Sequence, residues 1–220
     1  MSNRIPRIKV CGVTVQEDLD VLAEFEVDSV GLNFVPISKR KVAPDQAGIL
    51  AKRAHELGLS VVGVFMNQSP SDVARVLAHV SCDFVQLHGD ERPEDFVDCK
   101  APIIKAISWS GRSEETDLAS SWANASNLRA FLLDAYAPAE GGGTGRQARW
   151  DLLVPRPKVF GTTPVILAGG ITSENVAQAV SMVRPDGVDT ASGVESAPGR
   201  KARSLVQAFA AAARKGWEGQ

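Results

Sequence analysis

Two stretches of the chain share one design: Val165-Ile-Leu-Ala-Gly-Gly-Ile-Thr-Ser173 and Gly187-Val-Asp-Thr-Ala-Ser-Gly-Val-Glu195. Each starts as an apolar run that predicts a strand, breaks into glycine and hydroxyl residues, and is followed by a helical pattern. Glycine has no Cβ and the first N–H groups of a helix are unpaired, so such turns let backbone N–H groups approach an oxyanion. Two of them in succession predict a phosphate site, which in an eight-fold β/α barrel usually follows strands seven and eight.

The rest of the chain repeats this alternation of strand and helix. Six earlier apolar runs are predicted strands: 5–10, 28–34, 60–65, 83–87, 102–107 and 128–133. The first predicted helix has Thr14 as its N-cap with Glu17 three residues on, and the last two start at Ser173 or Glu174 and at about Lys201. Eight strands that alternate with helices favour a parallel sheet, and no linker divides the chain. We therefore predict a single α/β domain over residues 1–220, a (β/α)8 TIM barrel.

Composition limits the classes of partner. The net charge is −2, from 24 basic and 26 acidic side chains, so no strong field favours nucleic acid or a membrane surface. No apolar segment predicts a membrane span or a secretion signal, so we expect a cytoplasmic protein. Three cysteines are then predicted to be free thiols. The His and Cys spacing fits no metal site and no nucleotide-binding signature occurs, so we predict no metal and no cofactor. No long apolar surface stripe is evident, which predicts a monomer, with a homodimer as the alternative.

Polar residues and glycines recur where predicted strands end. They are Cys11, Arg40, His88, Asp134, Gly169, Gly170 and Ser192. The carboxyl ends of barrel strands share one rim, where active sites are built. One polar residue in such a loop is usually only solvated, but agreement among several strands predicts a site.

Asp134 ends the apolar run Ala130-Phe-Leu-Leu133. Apolar neighbours disfavour the charged form of a carboxyl, which suits a general acid. The alternative is a turn or helix-cap aspartate. Arg40 stands in a short basic run, and its guanidinium suits bidentate binding of a carboxylate.

Cys11 ends the first predicted strand. Side chains alternate along a strand, so Lys9 and Cys11 share a face. A nearby ammonium lowers the pKa of a thiol, so Lys9 is predicted to favour a Cys11 thiolate base; the alternative is a buried structural cysteine. An unpaired buried ammonium is costly, and we therefore predict an ion pair between Lys9 and Asp189 of the strand that closes the barrel.

Ten short motifs carry a resemblance to a known family. They are Lys9-Val-Cys-Gly12, Gly31-Leu-Asn-Phe34, Ser38-Lys-Arg40, Val62-Gly-Val-Phe-Met-Asn67, Val85-Gln-Leu-His-Gly89, Leu132-Leu-Asp134, Gly142-Gly-Thr-Gly145, Leu167-Ala-Gly-Gly170, Val188-Asp-Thr-Ala-Ser-Gly-Val-Glu195 and Pro198-Gly199. In this order, over nearly the whole chain, they resemble the phosphoribosylanthranilate isomerases. The resemblance implies a β/α barrel that catalyses an Amadori rearrangement of tryptophan biosynthesis without metal or cofactor.

The resemblance also implies roles for individual residues. The Asp matching Asp134 would protonate the ribose ring oxygen, the Cys matching Cys11 would remove the C2 proton, and the Arg matching Arg40 would hold the anthranilate carboxylate. Backbone amides would bind the phosphate at Gly169, Gly170, Ser192 and Gly193. We expect further substrate contacts from His88, Gly142, Gly143 and Asp189.

Three places depart from the pattern expected for that family. Val35 stands where an aromatic residue is common, the run 146–150 differs from the usual one, and Thr190-Ala191 replaces a more usual Val-Ser. Two rival interpretations remain. A different sugar-phosphate barrel enzyme would need metal-binding histidines or rim lysines, for which Lys9 and Lys105 are the obvious strand candidates. A barrel that only binds a phosphorylated ligand would not need both Cys11 and Asp134.

Overall fold

Eight parallel strands close into one barrel in the computed structural model of the protein, which describes residues 5–134 and 149–218. The strands are β1 (Ile8–Cys11), β2 (Ser29–Asn33), β3 (Ser60–Phe65), β4 (Phe84–Leu87), β5 (Ile103–Ser108), β6 (Leu128–Asp134), β7 (Val165–Ala168) and β8 (Gly187–Thr190). Each strand pairs with its successor, and β8 pairs with β1. The predicted (β/α)8 TIM barrel is confirmed.

Six α-helices lie in the described residues. They are α1 (Gln16–Glu24), α2 (Pro44–Glu56), α3 (Pro70–Leu77), α4 (Ser113–Trp122), α5 (Val176–Val183) and α6 (Arg203–Glu218). After β4 the helical segment is only a 3₁₀ turn, Pro93–Phe96, and two more such turns, Trp150–Leu153 and Lys158–Phe160, precede β7. Pro155 and Pro157 stop the first of these two turns from extending, because proline lacks the N–H that a helix interior needs.

Two predicted helix starts are wrong. Helix α1 begins at Gln16 without a side-chain cap, because the Thr14 hydroxyl instead donates a 2.7 Å hydrogen bond to the carbonyl oxygen of Gly199. Helix α5 begins only at Val176, since the preceding residues form a turn in which Thr172 N–H donates to the Asn175 side chain. The last helix, predicted from about Lys201, begins at Arg203, and Lys201 itself belongs to a short hairpin.

That hairpin is inserted between the glycine turn after β8 and helix α6. It consists of β9 (Glu195–Ala197) and β10 (Arg200–Lys201), which pair antiparallel. Helix α6 therefore does not follow β8 directly; a 3₁₀ turn, Ser192–Val194, does.

Apolar side chains fill two layers, one inside the barrel and one between the sheet and the helices. The inner layer consists of Val62, Val64, Phe84, Ile104, Ala106, Ala130, Leu132, Ile166 and Ala168. Burying a Val, Leu, Ile or Phe side chain stabilises the fold by roughly 1.5–3 kcal/mol. The inner layer therefore stabilises the barrel below the rim. The polar residues described next sit on top of it. Among the described helices, none combines the length and the apolarity that crossing a membrane requires.

Candidate active site

A cavity of about 580 Å³ opens where the barrel strands end. Eight residues predicted from the sequence line it: Cys11, His88, Asp134, Gly169, Gly170, Asp189, Ser192 and Gly193. They come from strands and loops distributed around the barrel. Because the carboxyl ends of barrel strands share one rim, residues that are far apart in sequence meet there. Their roles in binding and catalysis stay predictions.

The cavity does not contain every predicted residue. Gly142 and Gly143 lie outside the described residues. Arg40 lies beside the cavity without lining it. Sequence reasoning missed four polar residues that do line it: Asn33, Gln86, Thr172 and Thr190. Gln86 could have been found from the sequence, because it is an amide within an apolar strand. It lies two residues before His88, and side chains two residues apart on a strand point to the same face.

A second cavity, of about 620 Å³, lies on the outer wall between α3 and the 3₁₀ turn after β4. It is lined largely by apolar side chains such as Val73, Leu77 and Phe96. Burial raises the pKa of Cys82, which also lines it, to about 12. That thiol is therefore unreactive at neutral pH. None of the site residues predicted from the sequence lines this cavity.

Cys11 reaches the cavity through a gap left by Gly31. The two residues are neighbours in the β1–β2 register. A Cβ added to Gly31 would lie 2.7 Å from the Cys11 sulfur, closer than real contacts allow. Glycine at position 31 therefore provides the space that the Cys11 side chain occupies.

Lys9 forms the predicted ion pair with Asp189. The Lys9 Nζ lies 2.9 Å from Asp189 Oδ1, and the Lys9 side chain is fully buried. The two residues are register partners on β1 and β8, so their side chains point to the same face. Burial alone would lower the pKa of Lys9, but the Asp189 carboxylate and the charged form of Cys11 raise it, so that the net shift is upward. Lys9 is therefore an ammonium beneath the cavity.

Lys9 lowers the pKa of Cys11, as predicted, but the net shift is upward. Burial raises the pKa of Cys11 more than the charges of Lys9 and Lys201 lower it. The carboxylate of Asp189, which compensates Lys9, adds to the increase. Cys11 is therefore a thiol in the resting protein, and its thiolate is a minor but more basic form.

His88 is held by the amide of Gln86. Burial lowers its pKa, against the raising effect of Asp134 and Asp189, so the ring is neutral. The Gln86 amide lies 3.2 Å from His88 Nδ1. This contact fixes one ring nitrogen, and a neutral imidazole offers one donor and one acceptor.

Asp134 is held by the backbone at the end of β6. Its carbonyl oxygen accepts a 2.9 Å hydrogen bond from Trp109 N–H, and its register partners are Ser108 and Ala168. Its charge acts on His88. The carboxyl of Asp134 and the thiol of Cys11 thus belong to one cavity, on strands from different parts of the barrel.

The two glycine turns are packed against each other. Gly169 and Gly170 both have positive φ, 86° and 64°. A Cβ on Gly193 would lie 2.2 Å from the carbonyl oxygen of Ile171, so only glycine permits this approach. Thr190 Oγ1 donates a buried 2.7 Å hydrogen bond to the same carbonyl.

This packing leaves backbone donors available at the cavity. In residues 5–134 and 149–218, no acceptor is found for the N–H groups of Gly169, Gly170, Ser192 and Gly193. Unpaired N–H groups of glycine turns are what an oxyanion binds. The arrangement can hold a phosphate.

Arg40 is paired with Glu195 of the hairpin. Its Nε and Nη2 lie 2.8 Å and 2.6 Å from the two carboxylate oxygens. Hydrogen bonding to Glu195 raises the pKa of Arg40, and the charged form of Cys11 acts in the same direction. The Arg40 side chain packs against Gly12, the residue after Cys11, where an added Cβ would lie 2.3 Å from Arg40 Cδ. A guanidinium has a second bidentate edge, Nη1 with Nη2, for which the described residues supply no hydrogen-bond acceptor.

Comparison with known proteins gives one consistent family. Residues 8–212 match the family model described as N-(5'phosphoribosyl)anthranilate (PRA) isomerase. The chain is 42% identical to the N-(5'-phosphoribosyl)anthranilate isomerase of Myxococcus xanthus, over 94% of this chain and 96% of that protein. A solved phosphoribosylanthranilate isomerase in complex with reduced 1-(o-carboxyphenylamino)-1-deoxyribulose 5-phosphate is similar with a TM-score of 0.80 and 31% identity, over 96% of this chain and 99% of that one.

A third relative bears on assembly. A structure of the phosphoribosylanthranilate isomerase of Thermotoga maritima, described as monomers generated from a dimeric enzyme, has a TM-score of 0.79 and 32% identity, over 96% of this chain and 99% of that chain. Dimers therefore occur among the relatives. Whether this chain is a monomer or a homodimer stays a prediction, as does its predicted cytoplasmic location.

Proposed function

Because the chain belongs to the N-(5'-phosphoribosyl)anthranilate isomerase family, we propose that it isomerises that substrate with Asp134 as general acid and Cys11 as general base. The reaction is a step of tryptophan biosynthesis. It is the Amadori rearrangement of N-(5-phosphoribosyl)anthranilate to 1-(2-carboxyphenylamino)-1-deoxyribulose 5-phosphate. An aldose-to-ketose shift of this kind needs one acid and one base on a small sugar.

Asp134 acts first. Its carboxylic acid gives a proton to the ring oxygen of the ribose while the C1–O bond breaks, and the nitrogen lone pair forms the C1=N bond of a protonated Schiff base. The His88 imidazole lies in the same cavity as this carboxyl and stays neutral. The charge of Asp134 would raise the pKa of His88, but burial lowers this pKa more. The imidazole therefore does not compete with Asp134 for the proton that is transferred to the ring oxygen.

Cys11 acts next. Its thiolate takes the proton from C2, the electron pair of that C–H bond forms C1=C2, and the C1=N bond electrons return to nitrogen. The enolamine then gains a proton at C1 and loses the one on the C2 hydroxyl, which gives the ketone. Lys9 and Lys201 favour the thiolate electrostatically, although burial leaves its pKa raised.

The two ends of the substrate fit two anion sites. The phosphate would be bound by the N–H groups of Gly169, Gly170, Ser192 and Gly193, which line the cavity. The anthranilate carboxylate would bind the Nη1/Nη2 edge of Arg40, which Glu195 leaves available. By the family resemblance, Gly142 and Gly143 would complete the binding of the substrate.

The position of Lys105 disfavours the alternative of a sugar-phosphate barrel enzyme with a catalytic lysine. Its Nζ is buried in a network with the carboxylate of Glu91, 2.8 Å away, and with the carbonyl oxygens of Leu87 and Gly89. It is not among the residues that line the rim cavity. Lys9 is committed to Asp189 beneath the cavity.

The observation that carries this proposal is the presence of Cys11, Asp134 and both glycine turns in one cavity. Asp134→Asn tests it, because the amide keeps the shape of the side chain but cannot give up a proton as an acid. Turnover, followed by the loss of anthranilate fluorescence, should fall by about 10²–10⁴-fold. Binding of the reduced product analogue should change little. Unchanged turnover would rule out Asp134 as the acid.

A further inference from the structure

Glu195 is the centre of a buried ionic network beside the cavity. Its side chain is only 4% exposed. Its carboxylate accepts hydrogen bonds from Arg40, from Lys201 Nζ at 2.8 Å and from Gly199 N–H at 3.1 Å. One carboxylate therefore compensates two cations.

Lys201 extends the network to the proposed base. Its side chain is fully buried, and its Nζ lies 2.6 Å from the carbonyl oxygen of Cys11 as well as 2.8 Å from Glu195. The result is a continuous chain of contacts from the guanidinium of Arg40 through Glu195 and Lys201 to the backbone of Cys11.

The geometry of the Arg40–Glu195 contact decides what remains for a ligand. Glu195 takes the side edge of the guanidinium, Nε with Nη2, in a two-point contact. Two-point contacts fix the plane of the guanidinium as well as its position. The end edge, Nη1 with Nη2, is thereby held in one orientation and stays available for another carboxylate.

We propose that Glu195 is a positioning residue: it orients Arg40 for the carboxylate of the substrate and, through Lys201, fixes Arg40 relative to Cys11. This inference rests on the proposed function, because it takes Arg40 as the carboxylate site and Cys11 as the base. The phosphate end is assigned to the N–H groups of the two glycine turns. The backbone N–H of Glu195 donates to the carbonyl oxygen of Ser192 in the second turn, but the described hydrogen bonds of the Glu195 side chain reach only Arg40, Lys201 and Gly199 N–H. An effect transmitted by Glu195 should therefore be confined to the carboxylate end.

Glu195→Gln tests the proposal. Glutamine offers one acceptor oxygen, and its NH₂ group repels the N–H groups of Arg40. The KM for phosphoribosylanthranilate should rise at least about tenfold with a much smaller change in kcat, because binding rather than chemistry is lost. Inhibition by inorganic phosphate, which has no carboxylate, should be unchanged. Glu24→Gln, which breaks the exposed pair with Arg203, is the matched control and should behave as wild type.

A double-mutant cycle shows whether Glu195 acts through Arg40. In an Arg40→Ala background, Glu195→Gln should raise KM no further, since the group it orients is gone. An equal additional increase in that background would overturn the proposal, and so would a wild-type KM in Glu195→Gln alone. If the glutamine variant does not fold, Glu195→Asp takes its place, because it keeps the charge but retracts it by one methylene, and the same criteria apply.

The titration of Cys11 gives a readout that a purely structural role would not move. The charged groups around this thiol are Lys9 on its own strand, Asp189 on β8, Lys201 on β10 and Arg40 in the loop after β2. Loss of the Glu195 charge leaves Lys201 and Arg40 uncompensated. The rate of Cys11 alkylation by iodoacetamide should therefore increase at a lower pH in Glu195→Gln than in wild type, and an unmoved profile would contradict the link.

The outcome for this inference can be separated from that for the proposed function. If Asp134→Asn retains turnover, the proposed acid is wrong whatever Glu195 does. If Asp134→Asn is inactive and Glu195→Gln keeps its wild-type KM, only the positioning role is wrong.

Discussion

Thr190 Oγ1 donates a 2.7 Å hydrogen bond to the carbonyl oxygen of Ile171 and so ties the turn after β8 to the turn after β7. Both groups are buried. The same carbonyl lies against Gly193, where a Cβ would approach it to 2.2 Å. The two glycine turns therefore share one contact point, and their spacing depends on it.

Thr190→Val removes this hydrogen bond at nearly constant volume. We expect a several-fold increase in KM and in the inhibition constant of inorganic phosphate, with kcat little changed. The unpaired Ile171 carbonyl should also lower the free energy of unfolding by about 1–3 kcal/mol. Steady-state kinetics and urea unfolding measure both. Thr190→Ser keeps the hydroxyl and should retain most of the phosphate affinity; equal losses in the two variants would show that packing, not the hydrogen bond, is responsible.

Gly31→Ala should damage the reaction without touching a polar group. The new Cβ would lie 2.7 Å from the Cys11 sulfur, so the thiol must move. We expect kcat to fall by about 10²-fold, the cost typical of a misplacement near 1 Å. Gly48→Ala in helix α2 is the control, because its Cβ would meet only the carbonyl oxygen of His79 at 3.4 Å. If both variants keep wild-type kcat, the tight contact at Cys11 has no catalytic meaning.

Lys9→Met tests the ion pair under the cavity. It leaves the buried Asp189 carboxylate without its partner, and breaking such a pair typically lowers the free energy of unfolding by about 3–5 kcal/mol. Urea unfolding measures the loss. Arg53→Met, which breaks the exposed pair with Asp20, should cost far less, because solvent screens exposed pairs. Similar losses in the two variants would contradict the view that Lys9 and Asp189 depend on each other.

The pH dependence follows from the raised pKa of Cys11. Burial raises it more than Lys9 and Lys201 lower it, so alkylation of Cys11 in the free protein should accelerate only above the ordinary thiol value of about 8.5. A raised folded pKa means that the folded state holds the proton more tightly than the unfolded chain. This contribution to stability is therefore present below the ordinary value and is lost as the pH rises through the folded value. Alkylation that is already complete near neutral pH would contradict the burial argument.

Much of the rim could be predicted from the sequence, because strand ends in a parallel barrel meet at one edge. That rule placed Cys11, His88 and Asp134 together. The ion pair between Lys9 and Asp189 could also be predicted, and the structure shows it. Lys9 shares a strand face with Cys11, and Asp189 lies on the strand that closes the barrel beside it.

The partners of Arg40 could not be predicted in this way. Lys201 was assigned to a helix start, and the hairpin in which it pairs with Glu195 has no periodic signal over so few residues. The net direction of the Cys11 pKa shift could not be predicted either. Residue spacing shows that Lys9 is near, but the extent of burial, which decides the sign here, is a property of the packed barrel.

The most direct test of the account is turnover of Cys11→Ser on phosphoribosylanthranilate, followed by anthranilate fluorescence, beside wild type. Serine keeps the position and nearly the size of the thiol but is a far poorer base at neutral pH. We predict that kcat falls by about 10²–10⁴-fold while the reduced product analogue binds as in wild type. Turnover within about threefold of wild type would contradict the assignment of Cys11 as the group that removes the C2 proton.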